Sequence, residues 1–420
     1  MELNIKLLLK TWRYPIILLF SIGVSSVGSW IYFIALNLIV LNITESALAV
    51  SGLYIIRALS TVCTNIWSGS VIDRLNKKYL MIVLNMLQAL FIAVLPFASS
   101  LVFIYGMVFL ITIFSSIYHP TSMTYITKLI PIEQRKQFNA LRSLLDSGAF
   151  VTGPAIAGLI FTIGTPNMAI YMNAIALFLS ALFTLAMPNV EASKQLVEKA
   201  ENKLSIKLLK EDWKLVLRFS GKYSYIMTIY FLFSAMIVMM TATDSLEAAF
   251  ATQVLSLSEG QYGILVSIAG GGVLIGSLTN TIIVEKIPTS WLIGMGSLIT
   301  ACGYIIFSLS YTFILASMGC FILSFATAFA NTGFYTFYQN NIPVNVMGRI
   351  GGIYGLVEAV LIIIVTAIFG VASEVLSIRA VVVSGSMIML LVATKLFICN
   401  IQRSKNKFYA NTSEVNDSFQ

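Results

Sequence analysis

The sequence predicts an all-α membrane protein whose twelve transmembrane helices form two six-helix repeats. Three observations carry this prediction: 58% of the 420 residues are hydrophobic, only 10% are charged, and the mean hydropathy is +0.89. A soluble domain has about 25% charged residues. A disordered chain needs low hydrophobicity to stay solvated. The composition therefore excludes both classes.

Twelve apolar stretches are long enough to cross a bilayer, which requires roughly 20 residues per helix. They fall at about 14–40, 46–71, 79–98, 101–124, 139–163, 167–188, 223–250, 257–283, 289–309, 312–336, 349–372 and 377–400. The two groups of six predict four regions: an N-terminal bundle at 1–188, a cytoplasmic linker at 189–222, a C-terminal bundle at 223–400 and a cytoplasmic tail at 401–420.

An internal repeat relates the two groups of stretches. A shift of the sequence by 212 residues, without a gap, superimposes Asp146 on Glu358 and Gly158 on Gly370. Because each copy holds an even number of spans, both copies have the same orientation in the membrane. We expect a site for a small molecule between them.

The net charge of +8 is explained by basic residues in the loops on one side of the membrane rather than by a nucleic-acid binding surface. With a cytoplasmic N-terminus, 24 of the 26 Lys and Arg residues lie on the cytoplasmic side, leaving Arg379 outside and Arg57 within a span. Basic residues accumulate in this way in cytoplasmic loops. We predict a multi-pass protein of the cell membrane with both termini in the cytoplasm and no nucleic-acid partner.

The turn after the second stretch has a glycine, an acid and basic residues at a defined spacing. It resembles the loop signature G-x-x-x-D-R-x-G-x-K/R of the Major Facilitator Superfamily, with Asn76 at a position that is usually glycine. The matching residues are Gly69, Asp73, Arg74, Lys77 and Lys78. An ordinary positive-inside turn is the alternative, and it explains the basic residues but not the glycine and the aspartate.

The fifth stretch contains Gly153, Pro154 and Gly158, which resemble the G-P-x-x-G-G element of antiporter branches of that superfamily. A proline bends a helix and small residues allow helices to approach closely, so a purely structural kink is the alternative. The fourth stretch lacks the arginine of drug antiporters between Leu101 and Tyr125. The stretch instead ends in Tyr118, His119 and Pro120 and leads to Ile130, Pro131, Glu133 and Arg135, a pattern that resembles the macrolide-efflux and enterobactin-exporter branch.

The resemblance covers about residues 10–400 and implies the major facilitator fold and a secondary transporter. The implied activity is export of amphipathic small molecules, such as drugs, macrolides or siderophores, by alternating access and proton antiport. An importer or a lipid flippase of the same superfamily is the alternative, and a membrane sensor is the non-transport alternative. The chain lacks the G-x-x-x-x-G-K-[ST] loop, so ion gradients would supply the energy.

The sequence indicates neither an enzyme nor a cofactor or metal site. The four cysteines lie in apolar stretches without metal-ligand spacing, and the chain has one histidine. The expected partners are a small-molecule substrate, the lipid bilayer and protons. A monomer is expected, because one chain already contains both repeats.

Five ionisable residues lie at predicted membrane depth, where a charge costs several kcal/mol and therefore indicates function. We hypothesise that Arg57 pairs with Glu358 during transport, with a permanent ion pair as the alternative. Asp146 occupies the repeat position of Glu358. Asp244 and Glu247 are three residues apart, hence on one face of a predicted helix, where they would bind a cation or protons. A solvated rim is the alternative.

In this superfamily the first, fourth, seventh and tenth spans face inward, which implies a cavity lined by seven residues of those spans. They are Trp30, Tyr32, Phe33, His119, Tyr230, Phe334 and Phe337. Simple packing, or a backbone hydrogen bond for the histidine, is the alternative. Arg349, near the start of the eleventh span, is expected to attract Asp73 when the inner gate is closed.

Overall fold

The structure is a computed structural model that describes residues 2–65, 68, 72, 75–98, 100–191, 206–402 and 408–409. These residues are helical nearly throughout, and none of them is in a strand. Twelve helices are long and apolar enough to span a membrane, which confirms the predicted fold class. An additional helix, Ile206–Lys222, lies in the predicted linker.

The twelve spanning helices are labelled in chain order. They are α1 (Glu2–Thr44), α2 (Ala47–Asn65), α3 (Lys77–Val94), α4 (Leu101–Leu129), α5 (Ile132–Ile163), α6 (Pro166–Leu185), α7 (Ser224–Asp244), α8 (Glu259–Ile283), α9 (Thr289–Ser308), α10 (Phe313–Asn341), α11 (Val344–Val375) and α12 (Ile378–Ile401). Side-chain caps fix some of the starts. The Ser100 and Thr312 hydroxyls accept hydrogen bonds from the third residue of α4 and α10, which satisfies an otherwise unpaired backbone N–H group.

The predicted 212-residue repeat is visible in the helix boundaries. Each of α8 to α12 begins 212 residues after its counterpart among α2 to α6, as Leu101 and Phe313 illustrate for α4 and α10. The packing pairs repeat as well: α1 packs on α5 and α6 as α7 packs on α11 and α12, and α3 packs on α4 and α6 as α9 packs on α10 and α12.

Among the described residues, the two halves differ at the end of their first helices. Helix α1 continues without interruption to Thr44, whereas α7 ends at Asp244. A short helix, Glu247–Ala249, and a π-helix, Phe250–Val254, follow instead. The expected continuous helix over 223–250 is therefore wrong, and the two acids do not lie on one helix face. They lie on either side of the interruption.

The chain divides into two compact units. Unit 1 comprises Met1–Glu45, Ile56–Glu201 and Glu259–Ser267, and unit 2 comprises Ser46–Ile55, Asn202–Ser258 and Ile268–Gln420. The first turns of α2 therefore pack in unit 2, and the first turns of α8 pack in unit 1. A buried cluster in unit 1 includes Leu18, Met81, Tyr125 and Phe138.

Candidate functional site

An aromatic cluster lies beside a carboxylate in unit 2. The ring of Tyr230 on α7 lies 5.6 Å from Phe334, 5.9 Å from Tyr338 and 5.4 Å from Tyr354, measured between ring centroids. Phe334 is also stacked on Phe233 at 4.1 Å. Helices α7, α10 and α11 thus bring these rings together, and the lining of a cavity by Tyr230 and Phe334 stays a prediction.

Glu358 on α11 is the carboxylate of this cluster. It is half-buried, and its side chain interacts with the Ser234 hydroxyl and electrostatically with Tyr230. The hydroxyls of Tyr354 and Ser220 are joined by a hydrogen bond. Aromatic faces and a carboxylate both attract organic cations. The arrangement is therefore suited to an amphipathic molecule that carries a positive charge.

The interruption of α7 places a second acidic group in unit 2. The Tyr304 hydroxyl donates a hydrogen bond to the Asp244 carboxylate at 2.7 Å, and the Tyr54 hydroxyl donates to the Asp244 carbonyl oxygen at 3.1 Å. The Ser51 and Ser245 hydroxyls are 3.0 Å apart in the same region. These bonds satisfy polar groups that the end of α7 leaves without helical partners.

Glu247 lies close enough to Asp244 to interact with it electrostatically, although the helix between them is broken. Both side chains are half-buried. Two carboxylates in a poorly solvated place favour binding of a proton by one of them. Broken helices and π-helices are frequent at transport sites and functional sites, respectively. This region is therefore a candidate site for protons.

The aromatic residues of α1 lie in unit 1. Trp30 is stacked on Phe150 with 4.2 Å between the ring centroids, and the guanidinium of Arg57 lies 4.7 Å from the centre of the Phe33 ring. Arg57 also interacts electrostatically with the buried Tyr32. The observed neighbours of this arginine in unit 1 are thus aromatic. Because Arg57 belongs to unit 1 and Glu358 to unit 2, their pairing stays a prediction.

Asp146 has polar neighbours rather than aromatic ones. The Ser26 hydroxyl donates to its carboxylate at 2.8 Å, and the Arg142 guanidinium lies 3.8 Å from it, one turn earlier on α5. His119 is exposed and interacts electrostatically with both charges. Arg142 is one of the 24 basic residues expected on the cytoplasmic side, and its four-residue spacing from Asp146 is typical of a helical ion pair.

The glycine–proline element makes a close helix contact. Gly158 on α5 packs against Gly260 and Gly263 in the first turns of α8, so that a Cβ atom on Gly263 would lie 2.6 Å from the Gly158 Cα atom and 2.8 Å from the Pro154 carbonyl oxygen. Gly153 similarly makes room for the Trp30 side chain. Small residues at this spacing permit the backbones to approach.

The repeat provides an equivalent contact in unit 2. Gly370 on α11 packs against Leu48 and Ser51 in the first turns of α2. These three residues are the 212-residue counterparts of Gly158, Gly260 and Gly263. The first turns of α8 pack against α5, and the first turns of α2 pack against α11. These close contacts account for the small residues on α5 and α11.

The predicted gating loop is only partly visible. Gly69, Asp73 and Arg74 lie outside the described residues. Lys78 donates a hydrogen bond to the Leu185 carbonyl oxygen at 2.9 Å. Arg349 is exposed in the first two turns of α11.

Lys77 instead contacts an acid that the sequence analysis did not identify. Glu191 lies 3.0 Å from the buried Lys77 ammonium and 3.2 Å from that of Lys128. Burial alone would raise the pKa of Glu191, but the hydrogen bonds and charges of the two lysines hold this pKa below its usual value of 4.5. Glu191 therefore fixes the start of the linker to α3 and α4.

Among the described residues, no group of three or more His, Cys, Asp or Glu side chains is arranged to hold a metal ion. The groups described at the sites above are carboxylates, hydroxyls, one imidazole, aromatic rings and the cations of arginine and lysine.

Comparison with known proteins agrees with this architecture. The sequence profile of the Major Facilitator Superfamily matches residues 18–366. A relative described as an uncharacterized MFS-type transporter, YfiS of Bacillus subtilis (strain 168), is 28% identical over 172 residues, and the match covers 41% of each chain.

Several solved structures share the fold. The nucleoside transporter NupG has a TM-score of 0.69 over 94% of this chain and 99% of its own. A bacterial homolog of the human lysosomal transporter Spinster has 0.71 over 95% and 98%, and a D-xylose-proton symporter has 0.65 over 90% and 97%. Each is 14% identical, so each shows the fold alone. With the profile covering most of its length, the chain belongs to the Major Facilitator Superfamily, whose members are transporters and not enzymes.

Proposed function

We propose that this transporter exports amphipathic, positively charged small molecules in exchange for protons, by alternating access. The observation that carries the proposal is the aromatic cluster beside Glu358. A neutral sugar has no charge for the carboxylate to attract, whereas an organic cation is attracted both by the ring faces and by the carboxylate. Ring faces and a carboxylate together favour drug-like cations.

The interruption of α7 supports coupling to protons. Asp244 and Glu247 lie at a helix break that α1 does not have, and Tyr304 orients the Asp244 carboxylate. A carboxylate that gains and loses a proton changes the local charge by one. We propose that this change alters the stability of the interruption and so links proton binding to the transport cycle.

The glycine–proline element supports export over import, through the resemblance of Gly153, Pro154 and Gly158 to antiporter branches. The basic residues support a location in the cell membrane with both termini in the cytoplasm. In this orientation the loop with Lys77 and Lys78 and the start of α11 with Arg349 lie at the inner gate. One chain is proposed to act as a monomer.

The test uses purified protein in vesicles that contain a pH-sensitive dye. Three substrate classes are compared: a permanent organic cation such as ethidium, a macrolide and a siderophore. We expect the cation to move in one direction across the vesicle membrane while protons move in the other. Glu358→Gln should lower cation transport at least tenfold, since the carboxylate that attracts the charge is lost, and should affect neutral substrates less.

Two results would contradict the proposal. Equal effects of Glu358→Gln on charged and neutral substrates would exclude a charge-binding role for this residue. Asp244→Asn and Glu247→Gln should abolish proton movement while leaving cation binding intact, so unchanged proton flux in both variants would exclude coupling at the α7 interruption. Proton flux in the same direction as the substrate would show symport instead.

A further inference from the structure

Two residues of the C-terminal tail, Phe408 and Tyr409, pack on the part of unit 2 where α7 begins and where α10 and α12 end. Both residues are half-buried. The Phe408 ring is stacked on that of Tyr225, the second residue of α7, with 5.0 Å between the ring centroids. The Tyr409 ring lies 5.2 Å from that of Phe337 on α10. The tail therefore contacts two helices that carry the aromatic cluster.

Two buried asparagines supply polar partners for the tail. Asn341, the last residue of α10, donates from its side-chain amide to the Phe408 carbonyl oxygen at 2.9 Å. The Asn400 amide near the end of α12 donates to the Leu396 carbonyl oxygen at 2.7 Å, and the Asn400 side-chain oxygen accepts a hydrogen bond from the Tyr409 hydroxyl. Asn341 is 4% exposed and Asn400 is 0% exposed. Removal of the tail would take a partner from each of these buried groups, which is costly.

Two tyrosine hydroxyls complete the network. The hydroxyl oxygens of Tyr225 and Tyr409 are 2.8 Å apart, and the Tyr225 hydroxyl also donates to the Cys399 carbonyl oxygen at 3.0 Å. Because the single Tyr409 proton is donated to Asn400, Tyr225 is the donor in the contact between the two hydroxyls. Burial, together with the contact to Tyr225, raises the pKa of Tyr409, so its hydroxyl stays protonated and can donate. One short segment thus joins α7, α10 and α12.

We propose that Phe408 and Tyr409 are positioning residues for the aromatic cluster beside Glu358, because they fix the start of α7 to the end of α10. Helix α7 packs mainly on α11 and α12, whereas α10 packs mainly on α9. Direct packing between α7 and α10 is slight among the described residues. The tail therefore supplies a connection that these two helices make only weakly by themselves.

The contacts of the tail lie close to the cluster. Tyr225 precedes Tyr230 by five residues, which is about 7.5 Å along α7 at 1.5 Å per residue. Phe337 lies between Phe334 and Tyr338 on α10. The ring contacts of Tyr230 with Phe334 and Tyr338 join the same two helices as the tail does. Separation of the helix ends would therefore widen the cluster. The inference rests on the proposed function for the ligand, but not for the positions of the rings.

The test compares two truncations of the full chain in the same detergent. Removal of residues 403–420 deletes both contact residues, whereas removal of residues 410–420 retains them and is the matched control. Backbone hydrogen exchange, measured by mass spectrometry without a ligand, reports local opening of residues 224–232 and 333–341. Ethidium affinity is measured by fluorescence in the same samples. The longer truncation should raise exchange in both segments several-fold and weaken ethidium binding several-fold, and the shorter one should change neither.

Tyr409→Phe makes a smaller change at the same contact. It keeps the ring beside Phe337 and removes the hydroxyl bound to Asn400, so exchange in both segments should rise less than in the longer truncation. If that truncation fails to fold, Tyr409→Phe carries the test, with the removal of residues 410–420 as its control.

Three results would overturn the proposal: equal behaviour of the two truncations, unchanged exchange in Tyr409→Phe, or faster exchange with unchanged ethidium affinity. The last result would reduce the tail to a structural contact without influence on the cluster. A parent protein that does not bind ethidium would contradict the proposed function instead. The exchange measurements would then still decide whether the tail holds α7 to α10.

Discussion

The contact between α5 and α8 makes a quantitative prediction for Gly263→Ala. The added methyl group would meet the Gly158 Cα and N atoms at 2.6 and 2.7 Å and the Pro154 carbonyl oxygen at 2.8 Å. All three are backbone atoms, so no side chain can rotate away and the helices must separate. Overpacking of this kind costs about 1–3 kcal/mol.

The intrinsic helix preference acts in the opposite direction. Alanine is favoured over glycine in a helix interior by about 1 kcal/mol. The net loss for Gly263→Ala is therefore between about 0 and 2 kcal/mol. Gly271→Ala, on the same helix but with no atom within 4 Å of its Cβ position, should gain up to about 1 kcal/mol. Gly370→Ala should cost less than Gly263→Ala, since its nearest obstacle is the movable end of the Leu48 side chain.

The assay is thermal unfolding of the three purified variants and the parent in the same detergent. The expected order of melting temperatures is Gly271→Ala at or above the parent, then Gly370→Ala, then Gly263→Ala. If Gly263→Ala melts with Gly271→Ala, the close approach of α5 and α8 does not exist as described. The packing explanation of the glycine–proline element would then fail.

Two further predictions concern polar contacts. Glu191→Gln should lower the free energy of unfolding by about 2 kcal/mol, as expected for lost hydrogen bonds to charged groups. Because the pKa of Glu191 is depressed in the folded protein, the loss of stability in Glu191→Gln should persist at neutral pH and shrink only below pH 4.5. A loss of stability in thermal unfolding that is as large at acid pH as at neutral pH would contradict this explanation. Tyr304→Phe should reduce substrate-driven proton flux several-fold by removing the hydroxyl bound to Asp244, whereas Tyr311→Phe, at a 77% exposed site, should not.

The helices were predictable because membrane spans need long apolar stretches. The 212-residue repeat adds support, because each helix start in one half can be compared with its counterpart in the other half. Helices α1, α5 and α11 begin at Glu2, Ile132 and Val344 rather than near residues 14, 139 and 349. Their first turns contain polar or charged residues, so a search for apolar stretches does not include them. A helix can begin before it enters the membrane.

The interruption of α7 was not predictable from local sequence. Residues 244–254 contain neither proline nor glycine, the usual helix breakers. The observed end of α7 is stabilised by contacts with distant residues, among them the hydroxyls of Tyr54 and Tyr304. The packing of the first turns of α2 in unit 2, and of those of α8 in unit 1, also depends on tertiary contacts. Contacts between residues far apart in the chain cannot be read from the pattern of a single sequence.

Candidate site residues such as Glu358 were chosen from the sequence because an ionisable side chain is unusual at membrane depth. The residues that surround each candidate could not be predicted in this way. Arg57 was expected to require a counter-charge, and within unit 1 it lies against Phe33. Glu191 was overlooked because an acid in a charged linker is ordinary. Its interaction with Lys77 depends on how the linker returns to α3.

Duplication and divergence have separate consequences in this chain. Asp146 and Glu358 occupy equivalent positions of the repeat, yet Asp146 lies beside Arg142 and Ser26, whereas Glu358 interacts with Tyr230 and Ser234. A carboxylate already beside an arginine has less attraction left for an external cation. The helix interruption with its two acids also occurs in unit 2 alone among the described residues. The repeat thus supplies the fold, and the proposed binding and coupling chemistry has become concentrated in one half.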